Sequence, residues 1–349
     1  MPKLGKIRDL LTIYGVFGVL EEVSDRRKCW KLSSKLLNQT VSKTSISDAT
    51  PYVKVCELAN SDEEIFSNFR RCLEYRLILE HVNKRFGKKY LQSASGNPNW
   101  RNYLEMINTQ NRIGNPILKN FNGIGKTSPT SLRYLKVLTD LETLFGNLKC
   151  MNIAEIGAGF GGQAHAITSN FEIAKYSIFD LPEVNRLINK FLSSLINIDN
   201  FVFVDGRGDL GPNLKFDLVI SNYAFSELNR ETQEKYLNGV LLNSERGYIT
   251  WNELSFRSMN GFSKEELKNS FGNIVQRLGN EQWKNAVAAL EENNFKTAAE
   301  IALHYYDKAY DKGIAMKETK EIFRFAFEED DYNAMVKTLI QEADKKYGN

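Results

Sequence analysis

The chain has 349 residues, 42% apolar and 26% charged, the proportions of an ordinary soluble globular protein with room for two or three domains. Its 46 basic and 43 acidic residues leave a net charge of only +3, which argues against nucleic acid as a partner. Four cysteines (Cys29, Cys56, Cys72 and Cys150) show no C-x-x-C spacing and exclude a disulfide framework; they predict buried thiols in a reducing compartment.

The N-terminal stretch "MPKLGKIRDLLTIYGVFGVLEEV" carries an apolar run from Leu10 to Leu20. Asp9 interrupts its approach, no small-residue cleavage site follows, and a bilayer span takes roughly 20 apolar residues. A packed helix, a cytoplasmic location and no stable membrane insertion are expected.

Residues 1–145 read as a mostly helical region with acceptor or lid loops. In "IFSNFRRCLEYRLILEHVNKRF", Ile65, Phe69, Cys72, Leu73, Arg76 and Leu79 recur at spacings of three and four, predicting one amphipathic helix. "SGNPNW" and "GNPILKNFNGIGKTSPTS" read as turn-rich loops. The first could offer acceptor contacts or simply bury Trp100.

Residues 146–275 alternate β and α patterns. "MNIAEIG", "KYSIFD", "NFVFVD", "FDLVISN" and "RGYITWN" read as strands, and a helix over 182–197 puts Val184, Leu187, Ile188, Phe191, Leu192 and Leu195 on one face. Only "GRGDLGPNLK" joins the third and fourth strands, so one crossover helix is reduced or absent. The fold class predicted is α/β, Rossmann-like, with a mostly parallel sheet and helices on both faces. Residues 276–349 read as a helical tail with no P-loop, and apolar helical faces in both flanks are compatible with a homodimer.

The first strand runs into "EIGAGFGG", with glycines at 157, 159, 161 and 162. Gly157, Gly159 and Gly162 also spell the G-x-G-x-x-G of a dinucleotide site, so glycines alone do not choose a ligand. Glu155 bears on the choice, because a carboxylate near the end of a buried strand asks for a cationic or donor-rich partner. S-adenosylmethionine, with its ammonium and sulfonium, would supply one, whereas NAD would ask the loop to cradle a pyrophosphate. Asp180, ending the second strand 23 positions after Gly157, suits two ribose hydroxyls in either case. Asp205, ending the third, would contact adenine or cap a turn. Carboxyl-end candidates for chemistry are Glu227 and Asn222 after the fourth strand and Glu253 after the fifth. Glu227 is expected to act as general base or to orient the acceptor, and Glu253 is the second candidate. His81, His165 and His304 form no metal-ligating spacing, so no metal is expected.

"SPTSLRYLKVLTDLETLFG", "IAEIGAGFGGQAHAI", "YSIFDLPEV" and "ISNYAFSEL" together resemble the sugar O-methyltransferase family of bacterial polysaccharide gene clusters, over roughly residues 95–255. The resemblance implies a class I methyltransferase fold, S-adenosylmethionine as cofactor held by Glu155, Gly157, Gly159, Gly161, Asp180, Asp205, Asn222 and Arg133, and a sugar or glycan hydroxyl as acceptor. The tail, above all "HYYDKAY", is similar to the C-terminal helices of tRNA 2-selenouridine synthases. An RNA or small-metabolite methyltransferase, a catalytically silent SAM-binding scaffold and a nicotinamide oxidoreductase stay open as alternatives.

Overall fold

The structure, a computed structural model, describes residues 21, 23–33, 45, 47, 48, 50–211, 214–251, 259–263, 266 and 267, together with the backbone of Phe325–Glu328. The calls on the N-terminal 20 residues, on Asn252 and Glu253, and on most of the tail lie outside these residues.

In chain order the flank contributes α1 (Tyr52–Ser61), α2 (Glu63–Asn68), α3 (Leu73–Arg76), α4 (Lys84–Ala94), α5 (Leu104–Gln110) and a small antiparallel hairpin of β1 (Lys119–Phe121) and β2 (Gly125–Thr127). The hairpin falls where a loop was expected. The long helix α6 (Pro129–Phe145) follows. The Ser128 side chain accepts from the Thr130 N–H, proline takes the first turn and Gly146 ends it at φ +75°, so both termini are written in the sequence.

The single amphipathic helix expected across Ile65–Phe86 is instead broken into α2, a 3-10 turn and α3. The reason is long-range hydrogen bonding. The Arg70 N–H donates to the Gly114 carbonyl, and Trp30 pairs with the chain at Cys72, donating to Arg71 O and accepting from Leu73 N. Arg70 itself is fully buried, its Nε 2.6 Å from Glu80 Oε1 and its other nitrogens on Gln110 O and Ser128 Oγ.

The centre matches its sequence pattern closely. β3 (Asn152–Ile156), α7 (Gly162–Thr168), β4 (Lys175–Asp180), α8 (Pro182–Ser193), β5 (Phe201–Asp205), β6 (Leu218–Asn222), α9 (Arg230–Gly239) and β7 (Gly247–Thr250) build a parallel sheet in the order β5-β4-β3-β6-β7. No helix joins β5 to β6 among the described residues. A sixth strand, β8 (Phe325–Glu328), pairs parallel to β7. It comes from the segment expected to be helical, and it completes the doubly wound strand order of Rossmann-like sheets.

Period-two alternation sorts the sheet into two cores. Ile153, Tyr176, Ile178, Leu218, Ile220 and Tyr248 face α6, α8 and the N-terminal helices; Ala154, Ile156, Phe179, Val219 and Ile249 face Tyr236 and Leu237 of α9. Helices thus cover both faces. Of the cysteines, Cys56 and Cys72 are buried and Cys29 partly so, while Cys150 is exposed at the turn into β3, against expectation. Among the described residues no helix is long and apolar enough to cross a membrane.

Candidate active site

The strand order reverses at β3, whose neighbours are β4 and β6. Connections diverge there, and a crevice opens beyond the carboxyl ends of the strands. A cleft of about 1050 Å3 of empty space, counting its open mouth, occupies this point.

Gly157 and Gly159 form its floor. Both take positive φ, +73° and +64°. A Cβ on Gly157 would sit 2.1 Å from the Ala224 Cβ, and one on Gly159 would press on Leu79 at 3.0 Å, so the loop is closed in by the chain itself. Its N–H groups are used internally: Gly157 donates to Phe179 O, Gly159 to Asp180 Oδ2 and Gly161 to Ala158 O. Gly161 does not line the cleft; its missing side chain makes room for Ile188 of α8.

Asp180 ends β4 in the cleft wall. Burial raises its carboxyl to about 7, while N–H donors of Leu181, Gly159 and Ala158 favour the ionised form. Gly206, Leu181 and Tyr236 line the wall beside it. Asp205 is exposed at the end of β5 and accepts from the Arg207 N–H at 2.8 Å. It caps a turn rather than lining the cleft, and Arg207 takes the place expected of it.

Glu155 also departs from expectation. It lies one residue before the cleft-lining Ile156, and strand alternation turns it to the opposite face, where its Oε2 accepts from the Tyr176 hydroxyl at 2.7 Å. Burial pushes its carboxyl up to about 8, against the pull of the Tyr176 bond.

Arg133 on α6, 6% exposed, belongs to the same lining. Its guanidinium lies 5.6 Å from the Tyr134 ring and 5.3 Å from the Tyr223 ring. The Nε is buried with no hydrogen-bond partner, and the groups that act on the guanidinium are the hydroxyls of Tyr134, Tyr223 and Tyr90. Tyr223 follows β6 at φ +72°, a sparsely populated backbone state for a side-chain-bearing residue and one found at functional sites. Asn222 lines the cleft next to it, its Oδ1 accepting from Thr250 Oγ1 at 3.3 Å, and Glu227 closes the short 3-10 turn Ala224–Glu227 on the same wall.

The flank supplies lining residues that periodicity and motifs did not reveal: Ser45, Ser47, Tyr52, Leu79 and His81. Two ties hold this roof. Ser45 bridges Leu228, and Asp48 meets the Arg207 guanidinium at 2.8 Å while Glu183 holds its other arm at 3.0 Å. The scarcity of histidine was the one signal that could have drawn attention to His81. His165 is packed away on α7 beside Gln110, and burial lowers it to about 4. Trp100 stacks with Arg101, and its neighbour Asn97 bonds to α6 at Thr139 O, so the "SGNPNW" segment lies outside the cleft lining. Among the described residues no group of three His, Cys, Asp or Glu could hold a metal.

Neither a protein-family model nor a curated protein matches this chain. Solved structures similar to it include a candidate RNA methyltransferase from Pyrococcus horikoshii, at 18% identity and a TM-score of 0.28 over 35% of this chain and 57% of that one. A candidate S-adenosyl-L-methionine-dependent methyltransferase from Methanococcus maripaludis aligns at 15% identity and 0.28, over 50% and 74%. PigF with SAH aligns at 16% and 0.28, over 41% and 52%. The chain thus spans just over half the length of the first and third of these. At such identities and scores, the fold assignment rests on this chain's own strand order.

Proposed function

We propose that the chain is an S-adenosylmethionine-dependent O-methyltransferase whose acceptor is a hydroxyl of a sugar or glycan precursor. The carrying observation is the hydrogen bonding of the glycine loop. With the N–H groups of Gly157, Gly159 and Gly161 committed internally, three of the loop's donors are withdrawn from a pyrophosphate, which argues against a dinucleotide. The cleft offers instead a buried guanidinium with an unpartnered Nε and, in the same lining, the Asp180 carboxylate. That pairing fits a ligand with a carboxylate at one end and a ribose diol at the other.

When bound, S-adenosylmethionine would supply an electrophilic methyl group. Arg133 would hold its carboxylate and Asp180 its ribose hydroxyls, with Gly157 and Gly159 leaving the backbone close beneath it. Asn222 and Tyr223, at the end of β6, border the space left for the acceptor. Glu227 would receive the acceptor hydroxyl as a hydrogen bond and orient its oxygen. Support for a sugar comes from the hydroxyls of Ser45, Ser47 and Thr232 and the rings of Tyr52 and Tyr223 around this space. Two arginines line it, and Arg207 is already neutralised by Asp48 and Glu183, so it is not a phosphate-tracking basic groove.

Calorimetric titration of the full chain with S-adenosylhomocysteine, with NADH in parallel, tests the cofactor. Micromolar binding of the first alone is expected, weakened at least tenfold in Asp180→Asn. Binding of NADH alone would overturn the reading. Radiolabelled methyl transfer to a panel of nucleotide sugars then tests the acceptor.

A further inference from the structure

The segment Ile78–His81 is held from both sides. Leu79 fills the space above Gly159, and its carbonyl accepts from Thr130 Oγ1 at 3.3 Å, in the first turn of α6. The next residue, Glu80, turns inward to the fully buried Arg70 at 2.6 Å and also accepts from Ser128 Oγ. Arg70 in turn lies 4.4 Å from the ring of Phe160 within the glycine loop. His81 then enters the cleft lining. Arg133 and Tyr223 line the same cleft as His81.

We infer that His81 is the proton acceptor for the methylated hydroxyl, fixed in place by the buried Arg70–Glu80 pair as positioning residues. The inference rests on the methyl-transfer reading above. In the step, the acceptor oxygen forms the new O–CH3 bond and the S–CH3 bond of S-adenosylmethionine breaks with its electron pair left on sulfur. The hydroxyl proton passes to a His81 ring nitrogen. An imidazole titrates near 6.5 when unperturbed and suits this role at neutral pH better than a carboxylate near 4.3, which leaves Glu227 to orient. The other charged and titratable groups of the lining are Asp180, Glu227, Arg133, Arg207 and the hydroxyls of Tyr52, Tyr223 and Tyr236.

The test reads the histidine directly and needs no acceptor. The full chain, with only three histidines, is labelled at histidine and titrated by NMR in complex with S-adenosylhomocysteine and, separately, with S-adenosylmethionine. The His81 signal is assigned by its loss in His81→Gln and by its persistence in His304→Gln. A ring beside the transferring methyl must feel the sulfonium charge, so its pKa is expected to be lower by about half a unit or more in the S-adenosylmethionine complex. An equal pKa in both complexes, or a ring that does not titrate between about pH 5 and 9, would overturn the role of His81 while leaving the cofactor reading intact. Failure of both ligands to bind the folded chain would overturn that reading itself.

Discussion

Glu155 and Tyr176 are joined by a 2.7 Å hydrogen bond between adjacent parallel strands, just before the glycine loop and outside the cleft lining. The carboxylate that singled out this loop in the sequence therefore acts on the sheet, where it holds β3 to β4.

The pH dependence follows. Burial raises Glu155 to about 8 in the folded chain, against about 4.3 for an unperturbed Glu. The folded state therefore binds the extra proton between these values, so this group's contribution is complete below pH 4.3 and is lost as pH rises through 8. Glu155→Gln keeps an acceptor for the Tyr176 hydroxyl and cannot ionise. Its melting temperature should equal or trail the wild type at pH 5 and exceed it at pH 8. A constant difference across that range would show that Glu155 does not titrate there.

Arg133 gives a prediction selective for one part of the ligand. Arg133→Gln should weaken S-adenosylhomocysteine by about tenfold to a hundredfold, the value of a hydrogen bond to a charged group. Methylthioadenosine, which lacks the amino-acid portion, should bind wild type and variant alike. Equal losses for both ligands in parallel calorimetric titrations would mean that Arg133 only shapes the cleft.

The Arg70–Glu80 pair, 0% and 5% exposed, predicts a large stability effect. Glu80→Gln leaves a buried guanidinium unneutralised and should cost about 3–5 kcal/mol in urea denaturation. Replacing both by Met should cost less than the single change, because no lone charge then remains inside.

Steric closure of the loop is checked by Gly157→Ala. The new methyl would fall 2.1 Å from the Ala224 Cβ at a positive φ, an overpacked site worth about 1–3 kcal/mol. Adding Ala224→Gly should restore the steric part of that loss and leave the backbone part. A double variant no more stable than the single would show that the backbone conformation alone sets the cost.

Local pattern made the central sheet legible. All five expected strands from β3 to β7 appear, and α8 buries Val184, Leu187, Ile188, Phe191 and Leu192 as expected, because both report a burial period of 2 or 3.6 that neighbouring residues alone encode. The helix ends at Ser193 and leaves Leu195 beyond it. The start of α6 falls in a stretch that reads as a turn-rich loop, although its Ser128 cap and Pro129 are local signals. In the flank, Arg70 donates to Gly114 and Trp30 exchanges hydrogen bonds with Arg71 and Leu73, contacts between distant stretches of chain that break a helix whose periodicity was intact.

The sequence by itself determined five strands of the sheet and the position of Gly157, Gly159 and Asp180 at their ends, since these depend on short-range geometry. Tertiary structure decided which side chains share the cleft. It brought Arg133, Arg207, Ser45 and His81 into one cleft, tied Glu155 to Tyr176 and Asp205 to a turn, and extended the sheet with β8. The physical reason is that a cleft is assembled from residues far apart in the chain. Burial and ion pairing, such as Arg70 with Glu80 and Arg207 with Asp48, decide which residues meet there, and those energies leave no local pattern.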